Sequence, residues 1–109
     1  MKRSEILKGS AELAVLSLLK KNDMYGYEIT KKLKSTKESV LAIGEGTLYP
    51  MLHRLEQRGF IKGRWELVKG RRKVLYYGLT KKGKDELAER KLYWDLMTGA
   101  VNKILKSSS

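Results

Sequence analysis

The 109 residues predict a mainly α fold with a small β-wing and one long C-terminal helix. Three observations carry that prediction. Apolar residues recur at helical spacing in three stretches before residue 58; two strand-forming runs then flank a basic, glycine-containing turn; and a last helical stretch runs without proline to the closing serines. The length suits one domain, and 41% hydrophobic residues suffice to fill one core.

The first helix is expected from about Glu5 to Lys20, where Ile6, Leu7, Leu13, Ala14, Leu16, Leu18 and Leu19 are too dense for a thin stripe. It should therefore be buried over much of its girth. Lys20-Lys21-Asn22-Asp23 closes it, with cations at the negative end of the helix dipole and turn formers after them. A second helix is expected over Tyr25 to Ser35, its Ile29 and Leu33 inward and Lys31, Lys32 and Lys34 in water. Ser35 to Ser39 is polar and reads as a loop, and Val40-Leu41-Ala42-Ile43 reads as a short strand.

Gly44-Glu45-Gly46-Thr47 opens the third helix, which turns Leu48, Met51, Leu52 and Leu55 inward. Pro50 would meet the carbonyl of residue 46, so either the helix starts near Thr47 or it is distorted there. A start around Glu45 with a distorted opening is favoured, and Gly59 is placed as the stop. Phe60 to Leu67 and Val74 to Leu79 form a hairpin around Lys69-Gly70-Arg71-Arg72-Lys73, and Thr80 caps a helix reaching about Lys106. Helix, helix, strand, helix, hairpin and long helix together describe a winged helix-turn-helix over residues 1–80. Residues 81–106 add a C-terminal dimerisation helix, and 107–109 a disordered tail.

The charge is the informative number. Twenty-four Lys and Arg against 12 Asp and Glu give a formal +12, a field that attracts polyanions, nucleic acid first among them. A Lys-rich soluble surface or an anionic membrane surface would fit the same number. Cysteine is absent, so disulfides and thiolate chemistry are excluded and a reducing, cytoplasmic interior is the natural home. No apolar run approaches the length of a membrane span, and the first residues lack the apolar stretch of a signal peptide. His53 is the only histidine; no zinc site, acid–base pair, nucleophile elbow or phosphate loop is present, so neither a metal, a cofactor nor an enzyme is expected.

The third helix is the natural reading element, because a helix fits the major groove and its outer face must offer donors and acceptors to base edges. That face holds Thr47, Tyr49, His53, Arg54 and Gln57. Lys69, Arg71, Arg72 and Lys73 at the hairpin turn are placed to follow a backbone or enter a minor groove, although a charged edge also discourages strand aggregation. In the last helix Leu87, Trp94 and Val101 fall seven apart, with Met97 and Ile104 beside them, a near-heptad stripe that suits a second copy of the chain. Folding back on the first helix is the competing arrangement. Trp94 reads either as interface packing or as one wall of a ligand pocket between subunits.

Four segments are diagnostic together: Met24-Tyr25-Gly26-Tyr27-Glu28-Ile29, Glu45-Gly46-Thr47-Leu48-Tyr49-Pro50, His53-Arg54-Leu55-Glu56, and Arg72-Lys73 with Tyr76-Tyr77-Gly78-Leu79-Thr80. They resemble the PadR family of bacterial and archaeal regulators over about residues 10 to 83. The resemblance implies a dimeric winged-helix repressor of a palindromic operator, with dimer contacts from the first and last helices and Tyr25 added to the DNA-binding set. The single C-terminal helix is similar to the short subfamily, some of whose members bind planar aromatic compounds at the dimer interface; Ile6, Leu13 and Trp94 are the residues this implies for an effector. Val74-Leu75 intervenes where the family runs directly from its basic pair into Tyr-Tyr, so a longer or displaced wing is expected. A non-specific architectural or RNA-binding winged-helix protein, or mainly a drug-sensing module, are the other functions compatible with the sequence.

Overall fold

The computed structural model of the chain describes residues 3–35 and 40–108, with side chains from Leu7 onward. Its elements are α1 (Arg3–Lys21), β1 (Met24–Tyr25), α2 (Gly26–Lys34), α3 (Glu45–Gln57), β2 (Ile61–Val68), β3 (Arg72–Leu79) and α4 (Lys81–Ser107). The mainly α fold with a β-wing and a long final helix is the architecture observed, and most boundaries fall within two residues of expectation.

One core serves the whole body. Ala11, Val15, Leu16 and Leu19 of α1 meet Ile29 and Leu33 of α2, Leu48, Met51, Leu52 and Leu55 of α3, and Phe60, Ile61, Tyr77 and Leu87 from the rest. Leu7, Leu13, Ala14 and Leu18 pack half-buried around it, which is how α1 spends an apolar surface too broad for one stripe.

The strand expected at Val40–Ile43 does not form. Val40 and Leu41 make a turn, Ile43 is buried in the core with Leu41 packed half-buried against it, and Val40 stays exposed. The edge they would have joined is taken by Met24 and Tyr25, which pair with Tyr77 and Tyr76 of β3 and give the sheet order β1-β3-β2. Of the loop expected at Ser35 to Ser39, only Ser35 lies among the described residues.

α3 begins at Glu45 with Pro50 inside it. Gly44 is the N-cap, and its carbonyl accepts from both Thr47 and Leu48, a tightened opening that brings the chain to Pro50. At the other end Gly59 takes φ +82°. The Gly59 amide donates to Glu56 O and the Phe60 amide to Leu55 O, while Phe60 and Leu55 are buried beside each other's turn. That is a Schellman stop, and glycine is there because the left-handed backbone demands it.

The hairpin turn is shorter than expected. Val68 pairs with Arg72, so Lys69, Gly70 and Arg71 alone form the tip, while Arg72 and Lys73 belong to β3. Lys69 and Gly70 both have positive φ, 55° and 68°, which reverses the chain sharply enough to extend both strands to eight residues.

α4 is pinned at its start. Thr80 Oγ1 accepts from the Gly83 amide at 3.0 Å and donates to Gly59 O at 2.6 Å. The Thr80 amide also donates to Phe60 O, so the α3 stop and the α4 start form one joint. The helix runs through Ser107, one residue past its expected end, and Ser109 lies outside the described residues.

Candidate nucleic-acid interface

The sequence of α3 dictates its two faces. Leu48, Met51, Leu52 and Leu55 are buried, and the 100° step leaves Thr47, Tyr49, His53 and Gln57 exposed, with Arg54 half-buried at the margin. The expected face is therefore assembled as a continuous row of hydroxyl, imidazole, guanidinium and amide groups. α2 lies beneath α3, its Lys31, Lys32 and Lys34 exposed.

Tyr25 is placed differently from the others. It sits half-buried in β1 and caps α2, where Glu28 accepts its amide at 3.2 Å. Its ring stacks on Tyr27 at 6.4 Å and meets Tyr76 edge-on at 5.3 Å. Tyr49 reaches back to the same corner: a Cβ on Gly26 would lie 2.7 Å from the Tyr49 hydroxyl and ring edge. Glycine at 26 is thus what allows α3 to lean on the start of α2.

The wing bases separate by position. Lys69 and Arg71 stand exposed at the tip, and Arg72 and Lys73, adjacent in a strand, point to opposite sides of the hairpin. The basic cluster expected as one patch is thus spread around the wing. The wing is tied to the body by Glu56, whose carboxylate accepts the Gly63 amide at 2.9 Å.

Some contributing residues were not legible as a site. Arg64 bonds Asp23 and Glu66 and lies 5.7 Å over the Tyr76 ring. Hydrogen bonds to Glu66 and then Asp23 raise its pKa above the ordinary value, so this cation is engaged within the chain. Tyr27 is exposed with Lys31 over its ring at 5.6 Å. Burial, then the charges of Glu56 and Tyr49, raises the pKa of Tyr77. Asp23 and Arg64 are 41 residues apart, and only the β1–β3–β2 order brings them together.

α4 changes character along its length. Leu87, expected in the assembly stripe, is 5% exposed and belongs to the core of its own subunit. Near it Arg90 bonds Glu12 of α1 at 2.8 Å and Glu86 at 2.6 Å. Burial opposes the Arg90 charge, but these two carboxylates outweigh it and raise its pKa. The first turns of this helix therefore fold back on α1, the arrangement that competed with assembly, and past the groove it shares with α1 the helix leaves the body. Trp94, Met97, Val101 and Ile104 are exposed there, with Leu92, Tyr93, Leu96 and Leu105 around them.

Leu13 and Trp94 do come together. With Leu7, Ala14, Leu41 and Leu87 they line an open groove of about 1000 Å³ between α1 and α4, and Lys91 and Asp95 stand at its rim. The side chain of Ile6 lies outside the described residues. No group of His, Cys, Asp or Glu able to hold a metal occurs among the described residues, and no helix among them is long and apolar enough to cross a membrane.

Residues 15–89 match the family described as the transcriptional regulator PadR-like family. A PadR-like transcriptional regulator from Bacillus cereus is 33% identical and superposes with a TM-score of 0.82, over 93% of this chain and 96% of that one. A transcriptional regulator from Clostridium thermocellum is 31% identical, with a TM-score of 0.83 over 94% and 97% of the two chains. The chain is also 34% identical to the negative transcriptional regulator PadR of Bacillus subtilis over 74 residues, 68% of this chain and 41% of that protein.

Proposed function

The chain belongs to the PadR-like family of transcriptional regulators, and from that premise we propose that it is a cytoplasmic repressor holding a palindromic operator as a homodimer. It is a DNA-binding regulator, and the family is one of regulators rather than enzymes. The observation that carries the operator-reading proposal is the outward row of α3, Thr47, Tyr49, His53, Arg54 and Gln57, standing beside a wing tipped by Lys69 and Arg71. Arg54 and Gln57 are the base readers, since a guanidinium makes two bonds to guanine and an amide two to adenine. Thr47, Tyr25 and Tyr49 bond phosphates, and Lys69, Arg71, Arg72 and Lys73 hold the backbone on either side of the wing.

Residues 1–80 read DNA and residues 81–106 join the subunits. An exposed stripe of Trp94, Met97, Val101 and Ile104 on a helix that outruns its own core supports the homodimer. A two-fold axis would set the reading helices about 34 Å apart, one turn of DNA. The effector is a small planar aromatic compound, supported by the apolar groove that Leu13 and Trp94 share. Such a compound releases DNA only by binding differently to the dimer's two states.

Competition binding tests the reading. The operator should outcompete bulk duplex by roughly 10³-fold or more at physiological salt. Arg54→Ala should weaken operator binding by about 1–3 kcal/mol and relax the preference at one base pair. An Arg54→Ala protein with its sequence preference intact would overturn the assigned reading face. The charge of +12 favours a second reading, a non-specific clamp on nucleic acid, for which operator and bulk DNA would compete equally.

A further inference from the structure

The wing carries more than charge. Residues opposite one another in an antiparallel pair share a face, so Trp65 with Leu75 and Leu67 with Lys73 belong to one face of the hairpin. Glu66 with Val74 and Val68 with Arg72 belong to the other. The first face starts in the core at Ile61 and Leu79 and continues outward past the body, where Trp65 is 67% and Leu67 61% exposed. Neither packs against the core, whereas Leu75 does. Trp65 also lines, with Tyr25, Tyr27, Tyr49 and Arg72, an open cleft of about 590 Å³ between the wing and the helices. Tyr49 is on the outer face of α3, so the wing turns its apolar side toward the opening that a duplex held by α3 must cross.

The charges around the patch identify its occupant. Lys73 shares its face, Lys69 and Arg71 stand beyond it at the tip, and Arg72 borders the cleft from the opposite face, where the one acid of the hairpin, Glu66, is bonded to Arg64. An apolar strip that runs out to a cationic tip matches a polyanion whose interior is apolar: a duplex groove, with phosphates at its rims and sugar and base edges within.

Resting on the DNA-binding reading above, we propose that Trp65 and Leu67 form an apolar contact of the wing with the minor groove, Leu67 nearer the base edges and Trp65 against the sugars, and that this contact bends the duplex. Apolar side chains that enter a minor groove unstack or widen it and turn the DNA toward the major groove, which would wrap it further onto α3. The contact makes the flexibility of the sequence beside the operator part of what is read.

The test separates apolar contact from charge. With mixed-sequence duplexes of about 30 base pairs, long enough for two half-sites, Trp65→Ala and Leu67→Ala should each bind about tenfold more weakly, the effect of exposing one large apolar side chain. Their dependence on salt should stay that of the parent protein, whereas Arg71→Ala should flatten it by about one counterion. Trp65→Phe should restore affinity, and the emission change that the parent protein gives at saturating duplex should vanish in it. Energy transfer between dyes on the duplex ends should report a bend with the parent and a straighter duplex with Leu67→Ala. Alanine variants that bind as tightly as the parent, with unchanged emission on binding, would overturn the proposal while leaving the DNA-binding reading intact. A change in oligomer size on Trp65→Ala would overturn it too, assigning the patch to contact between copies. A parent protein that binds no duplex would end both.

Discussion

At Gly83 two segments approach so closely that an added Cβ would lie 2.0 Å from the Phe60 carbonyl oxygen and 2.7 Å from Leu79. The obstacle on one side is backbone, so α4 would have to move off the α3 stop. Gly83→Ala should therefore destabilise the protein by about 3 kcal/mol, read as a lowered urea midpoint. Gly59→Ala should cost less, about 1 kcal/mol, because only its positive φ is strained. The two glycines differ in legibility for a physical reason. Gly59 follows a run of helical periodicity and a basic residue, a local signal for a stop. Gly83 lies in the first turn of a capped helix, where local preference argues against glycine, and only the approach of a distant carbonyl explains it. Arg64 and Asp23 are invisible for the same reason, since their bond spans 41 residues.

Among the elements, the core faces of α1, α2 and α3 were readable because periodicity encodes burial directly. The sheet was less so. Two residues, Met24 and Tyr25, make a strand only because β3 offers an edge, whereas the richer run Val40–Ile43 finds none. The wing's apolar face was present in the sequence as alternation, Ile61, Gly63, Trp65, Leu67, but alternation cannot say where a face passes beyond the body into solvent. Arg71→Ala tests the wing as an element of general grip: affinity should fall alike for all duplexes, with the log–log salt slope reduced by about one. A loss confined to one sequence would instead make Arg71 a base reader. α4 is held to α1 by Arg90, which bridges Glu12 and Glu86 at half-buried positions. Arg90→Ala should lower stability by about 2 kcal/mol, since it leaves the Glu12 carboxylate shielded and unpartnered. Thermal melts with Glu12→Gln as a companion should show the double change costing less than the sum of the single ones.

The molecule as a whole measures 57 × 28 × 22 Å, long in one direction because α4 outruns the body. The sequence indicated a stripe on this helix but not where it divides, because heptad spacing is the same whether the facing helix is α1 of the same chain or a second chain. Leu87 falls to the first, while Trp94 through Ile104 are left exposed for the proposed second chain. Val101→Glu, far from the body and half-exposed, should leave the subunit folded and shift sedimentation toward the single chain; a dimer unchanged by it would remove α4 from the interface.

The Thr80 joint gives that geometry a mechanical meaning. One hydroxyl fastens the stop of α3 to the first turn of α4, so that a tilt of one helix is passed to the other through this joint. α4, 27 residues and about 40 Å long, then behaves as a crank whose handle is the far end and whose output is the tilt of α3. In the proposed homodimer a rotation of only a few degrees between the two α4 helices would displace the opposite end by several ångströms, enough to spoil registration with successive grooves. On the proposed reading, a compound in the groove between α1 and α4 would thus act on DNA binding without touching a base-reading side chain.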